Sequence, residues 1–296
     1  MRIFVTGGTG LIGSALQKYW REQHQLIILT RQPVTKFQQT AAITYVNQLQ
    51  NVDFNAVDAV VNLAGEPIAD KRWTDKQKHR ICHSRWQLTE QLSECIQAAE
   101  TPPACMISGS AVGYYGRQGT EFITEEHSAF YPEFSHDICA RWENLARRAG
   151  SDKTRVCLLR TGIVLSEQGG ALAKMLPAFR FGLGGPIGSG QQYMSWIHID
   201  DIVKLIDFLL HSPTLHGPFN AVAPKPVTNK EFSQALADRL NRPAKLTMPA
   251  FMVRLLFGEM ADLLLYGQRV IPQQALDAGF KFQYPKLPAA LADLDL

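Results

Sequence analysis

Close to the amino end, three apolar residues, Ile3-Phe4-Val5, run directly into Thr6-Gly7-Gly8-Thr9-Gly10-Leu11-Ile12-Gly13. Leu11, Ile12, Ala15, Leu16, Tyr19 and Trp20 then follow at helical spacing. A short buried strand, a turn with a glycine at every third position and an amphipathic helix leave few folds open. The glycines differ in purpose. Gly7 permits a tight turn, Gly10 lets the backbone approach a ligand closely, and Gly13 lets the helix pack against the strand. The helix N-terminus offers free N–H groups and the positive end of the helix dipole, which together receive phosphate. Strand, G-x-x-G-x-x-G turn and helix in this order predict a bound dinucleotide, with Thr6 to Gly13 in contact with it.

The rest of the first half continues the pattern. Apolar runs at Leu26–Leu29, Ile43–Val46, Val57–Ala64, Ala104–Ser108 and Val156–Leu159 read as strands, and Ser84–Ala99 and His136–Ala149 read as helices. Alternating strands and helices predict an α/β fold, a Rossmann doubly wound parallel sheet. After Arg160 the pattern changes. Gly169–Gly190 is glycine-rich and reads as a loop with one helical insert. Trp196–Val203 returns to strand then helix, and Phe219–Val222 reads as a further strand. Thr228-Asn229-Lys230-Glu231 has capping-box spacing before the helix Phe232–Leu240. We therefore expect a nucleotide-binding domain from residues 1–165 and 196–222, and a smaller, mostly helical C-terminal substrate or lid domain from 166–195 and 223–296.

The end of the second strand selects between cofactors. An acid there would hydrogen-bond the ribose 2′-hydroxyl of NAD. This chain has Leu29-Thr30-Arg31. Arg31 pairs naturally with a 2′-phosphate, which predicts NADP(H); the alternative is a solvated surface arginine. Asn62-Leu63-Ala64-Gly65 ends the fourth strand with small residues, where a cofactor can lie along the backbone.

Composition excludes several other classes. The 296 residues carry a net charge of only +3, with no long run of one sign, which argues against a nucleic-acid binder. No apolar run is long enough to span a membrane, and no cleavable apolar segment precedes the first strand. The five cysteines are odd in number and none is in C-x-x-C spacing, so reduced thiols in a cytoplasmic protein are expected. No His, Cys and carboxylate cluster has metal-ligand spacing, and no metal is expected.

With Ile107-Ser108-Gly109-Ser110-Ala111, Trp196-Ile197-His198-Ile199-Asp200-Asp201 and Gly279-Phe280-Lys281-Phe282-Gln283-Tyr284-Pro285 added, the chain resembles the extended short-chain dehydrogenase/reductases of the nucleotide-sugar epimerase type. Within these it is similar to an atypical epimerase family whose small C-terminal domain has no known function. The resemblance implies a catalytic Ser or Thr, a Tyr, and a Lys four residues after the Tyr. Ser110 matches the serine, and Ser108 falls in the cofactor segment. The Tyr-Lys pair is absent, since no tyrosine is followed by a lysine at that spacing. Aligning Arg141-Trp142-Glu143 with the usual Lys-Trp-Glu puts Asp137 at the tyrosine position and Arg141 at the lysine position, where it would hold the nicotinamide ribose.

Tyr114, Tyr115 and Asp137 are candidates for the missing proton donor, with His136 nearby; strand-end packing and a helix N-terminal carboxylate are the competing explanations. Lys71, Arg72, Trp73 and Arg85, which stands where the family usually has Asn, would suit a small anionic substrate or a solvated face. The glycine loop Leu183–Gly190 suggests backbone close to a ligand or a mobile flap, and the resemblance gives His198 and Asp200 structural roles. The expected protein is a monomer or homodimer. Two functions remain open, an NADP(H)-dependent oxidoreductase or epimerase-like enzyme, and a non-catalytic NADP(H) sensor.

Overall fold

A computed structural model describes residues 1–296. Seven strands form one sheet: β1 (Arg2–Thr6), β2 (Gln25–Leu29), β3 (Ile43–Val46), β4 (Ala59–Asn62), β5 (Cys105–Ala111), β6 (Arg155–Thr161) and β7 (Gly217–Ala221). Their order is β7-β6-β5-β4-β1-β2-β3, and every neighbouring pair is parallel. The order reverses at β1, which lies between β2 and β4. That reversal opens a crevice at the carboxyl ends of the strands, where doubly wound sheets bind ligands.

Both faces of the sheet are covered, and the strand sequences say why. Alternate residues point to opposite faces. Ile3, Val5, Leu26, Ile28, Val61 and Ile107 pack with Leu16 and Trp20 of α1 (Leu11–Trp20) and Ile202 and Ile206 of α5 (Ile199–His211). Phe4, Ile27, Val60, Met106 and Leu158 pack on the other face with Leu92 and Ile96 of α2 (Asp75–Ala98) and Ala146 of α3 (Phe134–Arg147). A strand with two buried faces needs a continuous apolar run, which is how these strands read in the sequence.

A second core joins Leu172, Leu176 and Phe179 of α4 (Gly170–Arg180), Phe232 and Leu236 of α6 (Asn229–Arg239), and Leu287 and Leu291 of the final helix, Leu287–Asp293. It thus draws on both segments after β6. The division at residue 223 is not strict, because Ala275 and Phe280 return to pack in the sheet core. The capping box at α6 is present, with Thr228 and Glu231 bonded reciprocally. No helix is long and apolar enough to cross a membrane.

Helix α2 starts at Asp75 rather than near Ser84. Its first turns are polar, Asp75-Lys76-Gln77-Lys78-His79-Arg80, so they carry no apolar stripe to betray a helix. The start is fixed by Thr74, whose Oγ1 accepts the Gln77 N–H at 3.2 Å. This early start brings a turn of basic residues over the crevice.

Candidate functional site

The crevice is a groove of about 1010 Å³ at the ends of β1, β2 and β4. The glycine turn forms its floor. Gly7 adopts φ +69°, and a Cβ there would lie 2.6 Å from the Leu63 carbonyl carbon. A Cβ on Gly13 would lie 2.3 Å from the Gly7 oxygen. Neither position accepts a side chain, so the glycines are a condition of the turn reaching β4. Gly10 is the N-cap of α1, and no side chain caps it. The first amides of the helix therefore lack both intrahelical and side-chain partners. Thr9 and Gly10 are exposed in the groove, while Leu11 and Ile12 are half-buried at the helix start. Gly8 packs on Ile28, and its carbonyl is taken by Gln17 Nε2 at 2.7 Å.

Thr6, Asn62 and Ser108 form a buried lock behind this floor. Thr6 Oγ1 donates to Asn62 Oδ1 at 2.7 Å and accepts the Ala64 N–H at 3.2 Å. Asn62 Nδ2 donates to Thr89 Oγ1 at 2.8 Å and to Ser108 Oγ at 3.2 Å. The lock ties β1, β4, β5 and α2 together. It fixes Leu63, Ala64 and Gly65 along the groove wall, while Asn62 and Ser108 themselves sit behind it.

Arg31 stands at the opposite lip, with 86% of its side chain exposed and Nη1 4.0 Å from Glu66 Oε2. Helix α2 supplies a further wall from His79, Arg80, His83, Ser84, Gln87 and Gln91. His79, Arg80 and His83 belong to no motif in the sequence. Their signal is helical periodicity among polar residues, visible only once α2 is known to begin at Asp75.

Beyond the groove, the end of β5 meets a buried polar cluster. Ser110 Oγ donates to Glu143 Oε1 at 2.8 Å. Arg160 holds the same carboxylate with two bonds, Nε to Oε1 at 2.8 Å and Nη2 to Oε2 at 3.0 Å. Arg160 Nη1 also donates to the Tyr115 hydroxyl at 3.0 Å, which donates to Asn220 Oδ1 at 2.8 Å. Tyr115 is fully buried, and burial pushes its pKa up to about 12, against the opposing pull of Arg160. Its proton is committed to the interior, so Tyr115 braces β7 against β6 rather than serving a ligand.

Tyr114 is half-buried, its ring centroid 3.6 Å from the Arg160 guanidinium carbon, and its hydroxyl makes no hydrogen bond within the protein. His136 Nδ1 lies 2.5 Å from the Tyr114 carbonyl oxygen. Asp137 is exposed in the first turn of α3, a position that complements the helix dipole. Arg141 is exposed on the same helix and lies 4.2 Å from the Trp86 ring centroid. The cation at Gly65 is instead Arg85, whose Nη1 donates to the Glu66 carbonyl at 2.9 Å.

None of the other sequence candidates lines the groove. Arg72 reaches the Leu255 carbonyl at 3.4 Å, Trp73 donates to the Ile68 carbonyl at 2.9 Å, and Lys71 is exposed. The glycine loop lies against the chain before α7 (Ala250–Phe257): Gly188 N–H bonds the Met248 carbonyl and Met248 N–H the Pro186 carbonyl, both at 2.9 Å. Gly185 has the Leu246 backbone where a Cβ would be. The glycine density thus serves backbone packing. His198 is buried, caps α5 and packs against the tilted Tyr284 ring, with centroids 4.1 Å apart. The fold also gathers two groups that sequence spacing hides, His24 with Asp207 and His211, and His198 with Asp200 and Asp293.

Comparison with known proteins agrees with this geometry. Residues 3–221 match the NAD dependent epimerase/dehydratase family, and residues 248–294 match a domain of unknown function (DUF1731). The mouse epimerase family protein SDR39U1 is 38% identical over 99% of both chains. The Mycobacterium tuberculosis epimerase family protein MT2273 is 40% identical over 98% of this chain and 96% of its own. The crystal structure of human epimerase family protein SDR39U1 (isoform 2) with NADPH superposes with a TM-score of 0.92 at 36% identity, covering 99% of this chain and 98% of that one. A UDP-glucuronic acid 4-epimerase from Bacillus cereus, in complex with UDP-glucuronic acid and NAD, has a TM-score of 0.77 at 14% identity over 98% of this chain and 96% of its own, and shares the fold alone. With its glycine turn, its seven-stranded parallel sheet and its C-terminal lobe all accounted for, the chain belongs to the NAD dependent epimerase/dehydratase family.

Proposed function

We propose that this protein is an NADP(H)-dependent oxidoreductase or epimerase-like enzyme of the extended short-chain dehydrogenase/reductase type, acting on a small polar substrate. The observation that carries the reading is the groove floor, an uncapped helix N-terminus above a cradle in which Gly7 and Gly13 leave no room for a side chain, with Arg31 rather than an acid at the rim. These groups fit a dinucleotide. The amides of Leu11 to Gly13 would receive the diphosphate, Ala64 and Gly65 would border the riboses, and Arg31 would turn from Glu66 to a 2′-phosphate. That a related human protein was crystallised with NADPH supports the choice.

The cofactor, when bound, gives or takes a hydride. The rest falls to the chain. Because Ser110 donates its proton to Glu143, its oxygen is left to accept a hydrogen bond from a substrate hydroxyl. Among the proton-donor candidates, the free hydroxyl of Tyr114 fits best, ahead of exposed Asp137. Five free thiols, three of them buried, suit a reducing compartment such as the cytoplasm, although one plant relative carries "chloroplastic" in its name. A monomer or homodimer that takes only small molecules completes the reading.

A second reading, a non-catalytic NADP(H) sensor, draws on one observation: the hydroxyls of Ser110 and Tyr115 are both committed inside the protein. Turnover of NADPH with any carbonyl or sugar nucleotide would exclude it. The cofactor assignment is tested by titrating purified protein with NADPH and NADH, then repeating with Arg31→Ala. We expect NADPH to bind more tightly, and the mutant to lose about tenfold or more of that preference. Equal affinity for both nucleotides in the wild type would overturn the assignment.

A further inference from the structure

Helix α1 begins at the groove and ends at Trp20, on the opposite edge of the sheet, where β1 starts. At that edge, side chains from distant parts of the chain meet. Trp20 is fully buried, and its Nε1 donates to Asp207 Oδ1 at 2.7 Å. His211 stands one turn after Asp207, as the last residue of α5. The turn after α1 is held by the Trp20 carbonyl, which accepts the His24 N–H at 2.9 Å. His24, Asp207 and His211 each offer one nitrogen or carboxylate oxygen, and the three atoms lie within 4.8 Å of one another. Because His24 comes from a different element than the other two, no sequence spacing shows the group.

The hydrogen bonds around this group leave lone pairs for a ligand. His211 Nδ1 lies 2.9 Å from the Asp207 carbonyl oxygen. A carbonyl only accepts, so Nδ1 carries the proton and the Nε2 lone pair is free. An imidazole N–H held by a backbone carbonyl is how a metal-bound histidine is commonly oriented. His24 Nε2 is closed off from solvent and has no hydrogen-bond partner in the protein, which is unusual for a buried polar atom. Its Nδ1 is 3.5 Å from the amino-terminal nitrogen of exposed Met1, at the outer limit of hydrogen bonding. The two imidazole centroids are 5.7 Å apart. Two imidazoles on one zinc ion, with Zn–N bonds of about 2.0 to 2.1 Å at a tetrahedral angle, have centroids about 5 Å apart. A small rotation of the half-exposed His211 ring closes that difference. The group of His198, Asp200 and Asp293 lacks this property. His198 Nδ1 accepts the Asp200 N–H at 3.2 Å, so its proton sits on Nε2, 3.5 Å from Asp293, and no lone pair faces the carboxylates.

We propose that His24, Asp207 and His211 bind a divalent first-row transition metal ion, with zinc as the type. Two imidazoles and one carboxylate suit such an ion, whereas Mg²⁺ and Ca²⁺ take oxygen ligands. Three protein ligands leave a fourth position to water, and the exposure of His211 gives the ion a path of entry. The buried indole of Trp20 fixes the carboxylate from behind. The ion ties the turn after α1 to the end of α5. It lies at the edge of the sheet away from the groove, so it holds the fold and takes no part in the chemistry. The unfolded chain does not bring these ligands together, so binding adds to stability.

Full-length protein without an affinity tag, first stripped with a chelator, is titrated calorimetrically with zinc chloride and separately with magnesium chloride. One zinc ion per chain is expected to bind with a micromolar or lower Kd, and magnesium is expected not to bind. His211→Ala and Asp207→Asn should each weaken zinc by about tenfold or more. Saturating zinc should raise the melting temperature of the wild type and leave that of His211→Ala unchanged. If Asp207→Asn disturbs the Trp20 contact and lowers stability by itself, His211→Ala decides, because its half-exposed ring can be removed without opening the core. Zinc bound equally well by the wild type and His211→Ala is held elsewhere on the surface and overturns the site. A wild-type protein that binds no zinc overturns it too. NADPH affinity should be the same with and without zinc, and a change would place the ion in the groove and not at this edge.

Discussion

Glu143 shows how much one buried residue can carry. Its side chain is fully inaccessible, and it receives Arg160 twice, Ser110 once, and Arg147 at 3.1 Å. Removing the carboxylate leaves Arg160, 3% exposed, as a buried charge without its partner. Glu143→Ala should therefore cost about 3 to 5 kcal/mol of stability. Ser110→Ala removes one hydrogen bond from a carboxylate that keeps three others, and should cost about 1 kcal/mol. Denaturant melts of the two variants give the comparison, and equal losses would contradict it. The same cluster marks the limit of sequence reading. Gly7, Gly10 and Gly13 were legible because the turn is local and each glycine has a separate steric reason. Ser110 was legible only through resemblance. The roles of Glu143, Arg160 and Arg85 depend on contacts between residues far apart in the chain, and no spacing in the sequence announces them.

At the scale of elements, a helix or strand was legible where its own apolar pattern marked it. The seven strands of the sheet fall within a few residues of the apolar runs, because burial on both faces demands such runs. Helix α2 was found only from its apolar half, since its amino-terminal turns face the groove and solvent. Capping signals are local as well, and α6 gives a test of one. Thr228 Oγ1 accepts the Glu231 N–H at 3.2 Å, and the Glu231 carboxylate returns to the Thr228 N–H at 2.7 Å. Thr228→Ala removes half of this exchange. It should destabilise the protein by about 1 kcal/mol, read as a drop of a few degrees in thermal melting. Because α6 packs in the second core with the final helix, cofactor affinity at the groove should be unchanged. A change in NADPH binding would mean that the two cores are more tightly coupled than their packing indicates.

At the scale of the whole molecule, α5 of the sheet core meets the carboxyl-terminal segment of the second core, and this contact should be sensitive to pH. The Asp201 carboxylate accepts the N–H groups of Gln283 at 2.7 Å and Tyr284 at 2.9 Å. Beside it His198 is buried against the Tyr284 ring, with Nε2 3.5 Å from Asp293. Burial pulls the His198 pKa below 6.5, while Asp200, Asp293 and Asp201 pull it the other way. The folded protein thus holds this imidazole neutral at a pH where the unfolded chain takes up a proton. Stability from His198 is complete above about pH 6.5 and falls as the pH drops toward the folded-state value. Burial pushes the Asp201 pKa up, and that has the opposite sign, with stability gained as the pH falls toward the ordinary carboxylate range. The two effects occupy different windows, so the His198 effect is the one seen first on acidification. Between about pH 7.5 and about pH 5.5 the wild-type melting temperature should fall more than that of His198→Asn, which can still cap α5. Hydrogen exchange over the same range should show the final helix, Leu287–Asp293, losing protection before the strands of the sheet. Parallel pH profiles for the two proteins would mean that His198 is protonated equally in the folded and unfolded chains, and the contact would then be held by Asp201 alone.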